Sequence, residues 1–133
     1  MKTFAACFCA ALVSFAAFAQ INPQQIEEQK AALQRAVDNY GKVYGAWLVD
    51  KQCSFLADNE KRQLQNDLHT IQQAIPQDPA IQNMHLMVED SAREVAGTPP
   101  FSDCGQESRT LVTQATTLAQ TWASLIRSRQ PQS

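Results

Sequence analysis

The chain has 133 residues, and once its first 19 are read as a removable leader the rest amounts to one small domain, which excludes a multidomain enzyme. Hydrophobic residues make up 44% and charged residues 18%, a composition that suits a packed globule and excludes wholesale disorder. The formal net charge is −2, with Lys and Arg scattered singly or in the short pairs Lys61-Arg62 and Arg127-x-Arg129, so neither nucleic acid nor a basic membrane-surface face is expected.

Met1 to Ala19 runs MKTFAACFCAALVSFAAFA: one Lys, an apolar stretch, then Ala17-Phe18-Ala19, the small-x-small pattern that a signal peptidase accepts. Residues 1–19 are therefore expected to be a signal peptide, 20–129 a helical domain and 130–133 a flexible tail. The product is expected to be periplasmic or secreted, with no stable membrane insertion, because the leader is short and no later segment is an unbroken apolar span. Cys7 and Cys9 leave with the leader, as does Lys2, which takes the formal charge to −3. Cys53 and Cys104 remain, and in an oxidising compartment they are expected to pair. Closing a loop of this length stabilises a small domain by about 4 kcal/mol in the chain-entropy treatment.

Four helical stretches follow in chain order. Asn22-Pro23 with Gln25 is a helix start, and Ile26, Leu33, Val37, Tyr40, Tyr44 and Trp47 fall on one stripe running to about Gln52. Gly41 and Gly45 interrupt that stripe, which implies that something packs closely against them. Ala57-Asp58-Asn59-Glu60 opens the second helix, with an Asp or Asn cap and Leu64, Leu68, Ile71 and Ile75 facing inward. Pro76 stops it, and Asp78-Pro79 caps the third, whose stripe is Ile81, Met84, Val88, Ala92 and Val95 before a stop at Gly97. The fourth opens at Asp103, carries Leu111, Ala115, Leu118, Trp122 and Leu125, and ends near Arg129. Short connections make neighbours antiparallel, so the fold class is all-α: a small antiparallel four-helix bundle with one disulfide. Up-down-up-down order puts the first and third junctions at one end, where Cys53 and Cys104 stand. The first and fourth helices outlast the middle pair, leaving Ile26, Leu33, Trp122, Leu125 and Ile126 as apolar surface for a second copy or a partner.

Catalytic signatures are missing: there is no G-x-S-x-G, H-E-x-x-H, Walker loop, G-x-G-x-x-G or C-x-x-C-H. Met84-His85-x-Met87 has the chemistry for a soft metal ion, but helical geometry turns its side chains onto different faces. His69 and His85 accordingly read as surface histidines, and no metal or cofactor is assigned. Tyr40, Tyr44 and Trp47 form an aromatic ladder that, with Phe101 and Trp122, reads first as core and second as a partner or ligand surface. In the second reading a cleft at the disulfide end is rimmed by Asp50, Lys51, Asp58, Asp103 and Arg109, with Asp50 facing Arg109. Glu89, Asp90 and Glu94 read as a solvated acidic face.

In organisation alone, a leader, four helices and one disulfide, the chain resembles groups of small exported bacterial proteins. These include immunity proteins that plug a toxin's active site, and periplasmic inhibitors. The resemblance implies a non-enzymatic exported protein that binds another protein, of inhibitor or immunity type, with a second copy of the chain as a further candidate partner. A carrier of a small apolar ligand, metal or haem within the bundle is the alternative.

Overall fold

A computed structural model describes residues 22–129, so the expected leader and the tail at 130–133 lie outside the described residues. Contacts divide the chain into units 1–35 and 36–133. Helix α1 (Pro23–Cys53) crosses that division and is followed by α2 (Asp58–Gln73), α3 (Pro79–Ala96), a single 3-10 turn (Phe101–Asp103) and α4 (Gln106–Arg129). The four helices pack against one another as an all-α bundle closed by the Cys53–Cys104 disulfide, whose Cα atoms lie 5.3 Å apart. Among the described residues no helix is long and apolar enough to cross a membrane.

In the first unit, α1 starts as its sequence dictates. Asn22 accepts from Gln24 N through Oδ1 at 3.3 Å, and its carbonyl accepts from Gln25 N at 2.9 Å. Ile26 and Leu33 remain exposed, at 41% and 49%.

In the second unit the core has two centres. Tyr40, Val43 and Tyr44 of α1 meet Leu64, Leu68 and Ile71 of α2, Ala92 of α3 and Ala119 of α4 in the first. The second, toward the disulfide, joins Ala46 and Val49 of α1, Ala96 of α3 and Val112 and Ala115 of α4, with Phe55, Leu56 and Phe101 packed against it. The anticipated inward faces shift accordingly. Helix α1 is contacted by the other three helices at once, so its buried arc widens to include Val43, Ala46 and Val49, which a single stripe omits. Helix α4 runs along α2 through Ser108, Val112, Ala115, Ala119 and Ala123. Small side chains allow close approach, so the larger Leu111, Leu118 and Trp122 are displaced to the flanks and Leu125 is half exposed. Helix α3 likewise packs through Ala92 and Ala96, which turns Val95 outward and Glu89 inward, against the expectation for both.

The turns are built by side chains. Asp50, buried at the end of α1, accepts from Phe55 N and Leu56 N through one oxygen, both at 2.9 Å, across a reversal in which Ser54 is left-handed (φ 57°). The cap of α2 is Ala57 rather than an Asp or Asn, and Glu60 reaches back to accept from Ala57 N at 3.1 Å. Asp78 caps α3 as anticipated, accepting from Ala80 N at 2.9 Å with Pro79 in the first turn. Gly97 ends α3 without entering the left-handed region (φ −85°), and Pro99 and Pro100, which lack N–H donors, prevent the helix from continuing. Helix α4 starts at Gln106, not Asp103: Asp103 belongs to the 3-10 turn, and Cys104 at φ 55° reverses the chain before the helix begins. Ser108 pins this turn by donating to Phe101 O at 2.8 Å.

Candidate binding groove between α1 and α3

A concavity lies along α1 and α3 and reaches Phe101 and Leu111 toward the disulfide end. Val37, Gly41, Gly45 and Val49 of α1 form its floor, Met84, Met87, Val88 and Val95 of α3 its wall, and Phe101 and Leu111 its end, enclosing about 720 Å³. Such a volume falls in the usual range for ligand sites. Met87 is 70% exposed and Val95 50%, so the wall presents a large apolar surface to whatever enters. Asp38, Lys42 and Ser91 supply its polar margin.

The floor exists because two positions of α1 carry no side chain. A Cβ at Gly41 would lie 3.5 Å from Val88 Cγ1, and one at Gly45 would lie 3.9 Å from Ala92 Cβ. Both are ordinary contacts, so alanine fits at either position. The expected neighbour of the glycines is α3, but its approach does not require them. Each glycine costs the helix about 1 kcal/mol relative to alanine, and both face α3, with Gly45 buried.

A buried polar seam lies beside the aromatic ladder. His85 packs against the Tyr40 ring, tilted by 45° at 4.9 Å between centroids, and its Nε2 lies 3.1 Å from Glu89 Oε2. The Tyr40 hydroxyl accepts from Gln72 Nε2 at 3.2 Å. Burial, reinforced by the charge of Glu89, pushes the Tyr40 phenol above the ordinary tyrosine range. Arg93 donates to the Tyr44 hydroxyl at 3.0 Å and pairs with Asp90. His85 is thus no surface histidine: its Nδ1 is buried without a hydrogen-bond partner. His69 is exposed. A second buried carboxylate, Asp67, is wholly enclosed; one oxygen accepts from Gln63 and from Arg127, both at 3.0 Å, and the other has no partner.

The residues singled out from sequence are dispersed. Tyr40 and Tyr44 are core, 5% exposed, with rings stacked at 6.0 Å. Trp47 and Trp122 pack half-buried against that same cluster, whereas Phe101 sits against the other one and alone of the five lines the groove. Asp50 is occupied by its turn and does not face Arg109, whose guanidinium lies over the Phe55 ring at 4.7 Å. Lys51 covers Trp47 in the same manner at 4.4 Å. Sequence reasoning missed the groove as a unit, although Gly41-x-x-x-Gly45 on a helix was its signal. Among the described residues no group of three or more His, Cys, Asp or Glu is placed to hold a metal ion. No known protein family matches the chain, and no curated protein or solved structure matches it either.

Proposed function

We propose that this is an exported, non-enzymatic binding protein whose recognition surface is the α1–α3 groove, which receives an apolar helical segment of a protein partner. One observation carries the reading: an apolar trough whose wall leaves Met87 and Val95 largely uncovered. Val37 to Val49 and Met84 to Ala96 each span about 18 Å of helix, room for about three turns of a docked segment. Methionine side chains adapt to varied apolar partners, which suits such a wall.

The test is capture of exported proteins of the host on the immobilised protein, comparing wild type with Met87→Glu, Val95→Glu and the control Thr117→Glu on the exposed face of α4. A partner retained by wild type and the control but lost from both groove variants supports the reading. Capture indifferent to Met87 and Val95 refutes it. The volume of about 720 Å³ also favours a second reading, a carrier of a small apolar ligand, for which native mass spectrometry of protein from its own host would show bound mass.

A further inference from the structure

We infer that the exported chain carries a modification site at its new N-terminus: Gln20, freed by cleavage after Ala19, closes on itself to pyroglutamate. The inference rests on export as proposed above and is independent of what the groove receives. Ala17-Phe18-Ala19 places the cut so that Gln20 bears the free α-amine, with Ile21 alone between it and Asn22, the cap of α1.

An N-terminal glutamine holds a nucleophile and an electrophile within one residue. The α-amine, in part unprotonated at neutral pH, attacks the side-chain carboxamide carbon Cδ. A new N–Cδ bond closes a lactam ring, the Cδ–Nε2 bond breaks, and Nε2 leaves as ammonia with the proton that the amine gives up. The step consumes no water, oxidant or cofactor, and the tether between the two groups takes the place of a catalyst's positioning. Like acetylation, it removes the terminal charge.

The start of α1 gives that loss of charge a structural consequence. The first turn of α1 holds no acidic residue, and residues 22–35 are all exposed. This end of the helix relies on Asn22, whose Oδ1 accepts from Gln24 N at 3.3 Å, and on Pro23, which has no N–H to satisfy. Glu27, the first carboxylate of the helix, pairs with Lys30 at 3.7 Å. An ammonium two residues ahead of the cap therefore adds like charge to the positive end of the helix dipole with no acid in the first turn to offset it, whereas the neutral lactam does not.

Intact mass and the N-terminal tryptic peptide 20–30 of protein recovered from its own host test the inference. The peptide is expected about 17 Da below its uncyclised mass, the loss of one ammonia, and inert to amine-reactive reagents until pyroglutamate aminopeptidase exposes Ile21. Gln20→Ala keeps the cut and cannot cyclise. It is expected to retain its amine and, at low ionic strength, to exchange amide hydrogens in the first turn of α1 about two- to fivefold faster than wild type. A peptide 20–30 of full mass with a reactive amine overturns the inference and leaves export standing. A chain that still holds residues 1–19 overturns both. Equal exchange in wild type and Gln20→Ala overturns the consequence for α1.

Discussion

Replacing Asp50 by alanine probes the joint between α1 and α2. One buried carboxylate oxygen takes two backbone N–H groups, Phe55 and Leu56, at 2.9 Å each, and so fixes a reversal that also holds Ser54 in the left-handed region. Hydrogen bonds to a charged acceptor contribute about 1.5–3 kcal/mol each. The two donors are only partly buried and regain some hydration when the acceptor is removed, so the expected loss is about 3 kcal/mol rather than the full sum. For a domain of this size that lowers Tm by about 12–20 °C. Asp50→Asn keeps a carbonyl oxygen at the same place and is expected to lose only about 1 kcal/mol. Urea denaturation followed by circular dichroism, with m unchanged between variants, reads both values. An Asp50→Ala loss below about 1 kcal/mol, or an Asn variant as damaged as the Ala variant, refutes the capping role.

Three further perturbations have defined outcomes. Replacing Cys53 and Cys104 by alanine together removes a crosslink spanning 51 residues and is expected to cost about 4 kcal/mol, read by denaturant titration; a loss under about 1 kcal/mol shows that the bundle does not depend on it. Arg127→Met strips the enclosed Asp67 of its cation and is expected to destabilise by about 2 kcal/mol, the exposure of Arg127 keeping the loss below that of a fully buried pair; Asp67→Leu added to it should recover most of the loss, and failure to do so removes the charge from the explanation. Tyr40 keeps its proton in the folded state above the pH at which the unfolded chain releases it. The native state therefore binds more protons than the unfolded one above about pH 10, and stability falls as pH rises, by at most about 1.4 kcal/mol per unit. Tyr40→Phe should flatten that slope in denaturation measured from pH 9 to 11; an unchanged slope assigns it elsewhere.

The bundle and its disulfide were legible because periodicity, the Asn22 and Asp78 caps, and the proline stops all report local backbone preferences. Which face turns inward was less legible. Leu125 and Val95 lie on apolar stripes yet stand half exposed, because alanines beside them let the helices approach more closely than leucines permit. Buried polar groups were the least legible. Glu89, His85 and Asp67 look like ordinary surface residues, and their burial depends on local partners, His85 with Glu89 and Gln63 with Asp67, together with Tyr40 and Arg127, which are distant in sequence. The groove escaped for a related reason: Gly41 and Gly45 mark it by what they lack, while Met84, Met87 and Val95 arrive from a helix some forty residues further on.

The alanine seam of α4 also bears on how the domain responds to temperature. Ala115, Ala119 and Ala123 occupy the deepest positions of their helix, at little rotamer entropy but with little apolar surface each. The heat capacity of unfolding scales with apolar surface newly wetted, so this seam adds less to it than leucines at the same three positions would. What the seam contributes to stability therefore changes less on cooling than a leucine seam's share would.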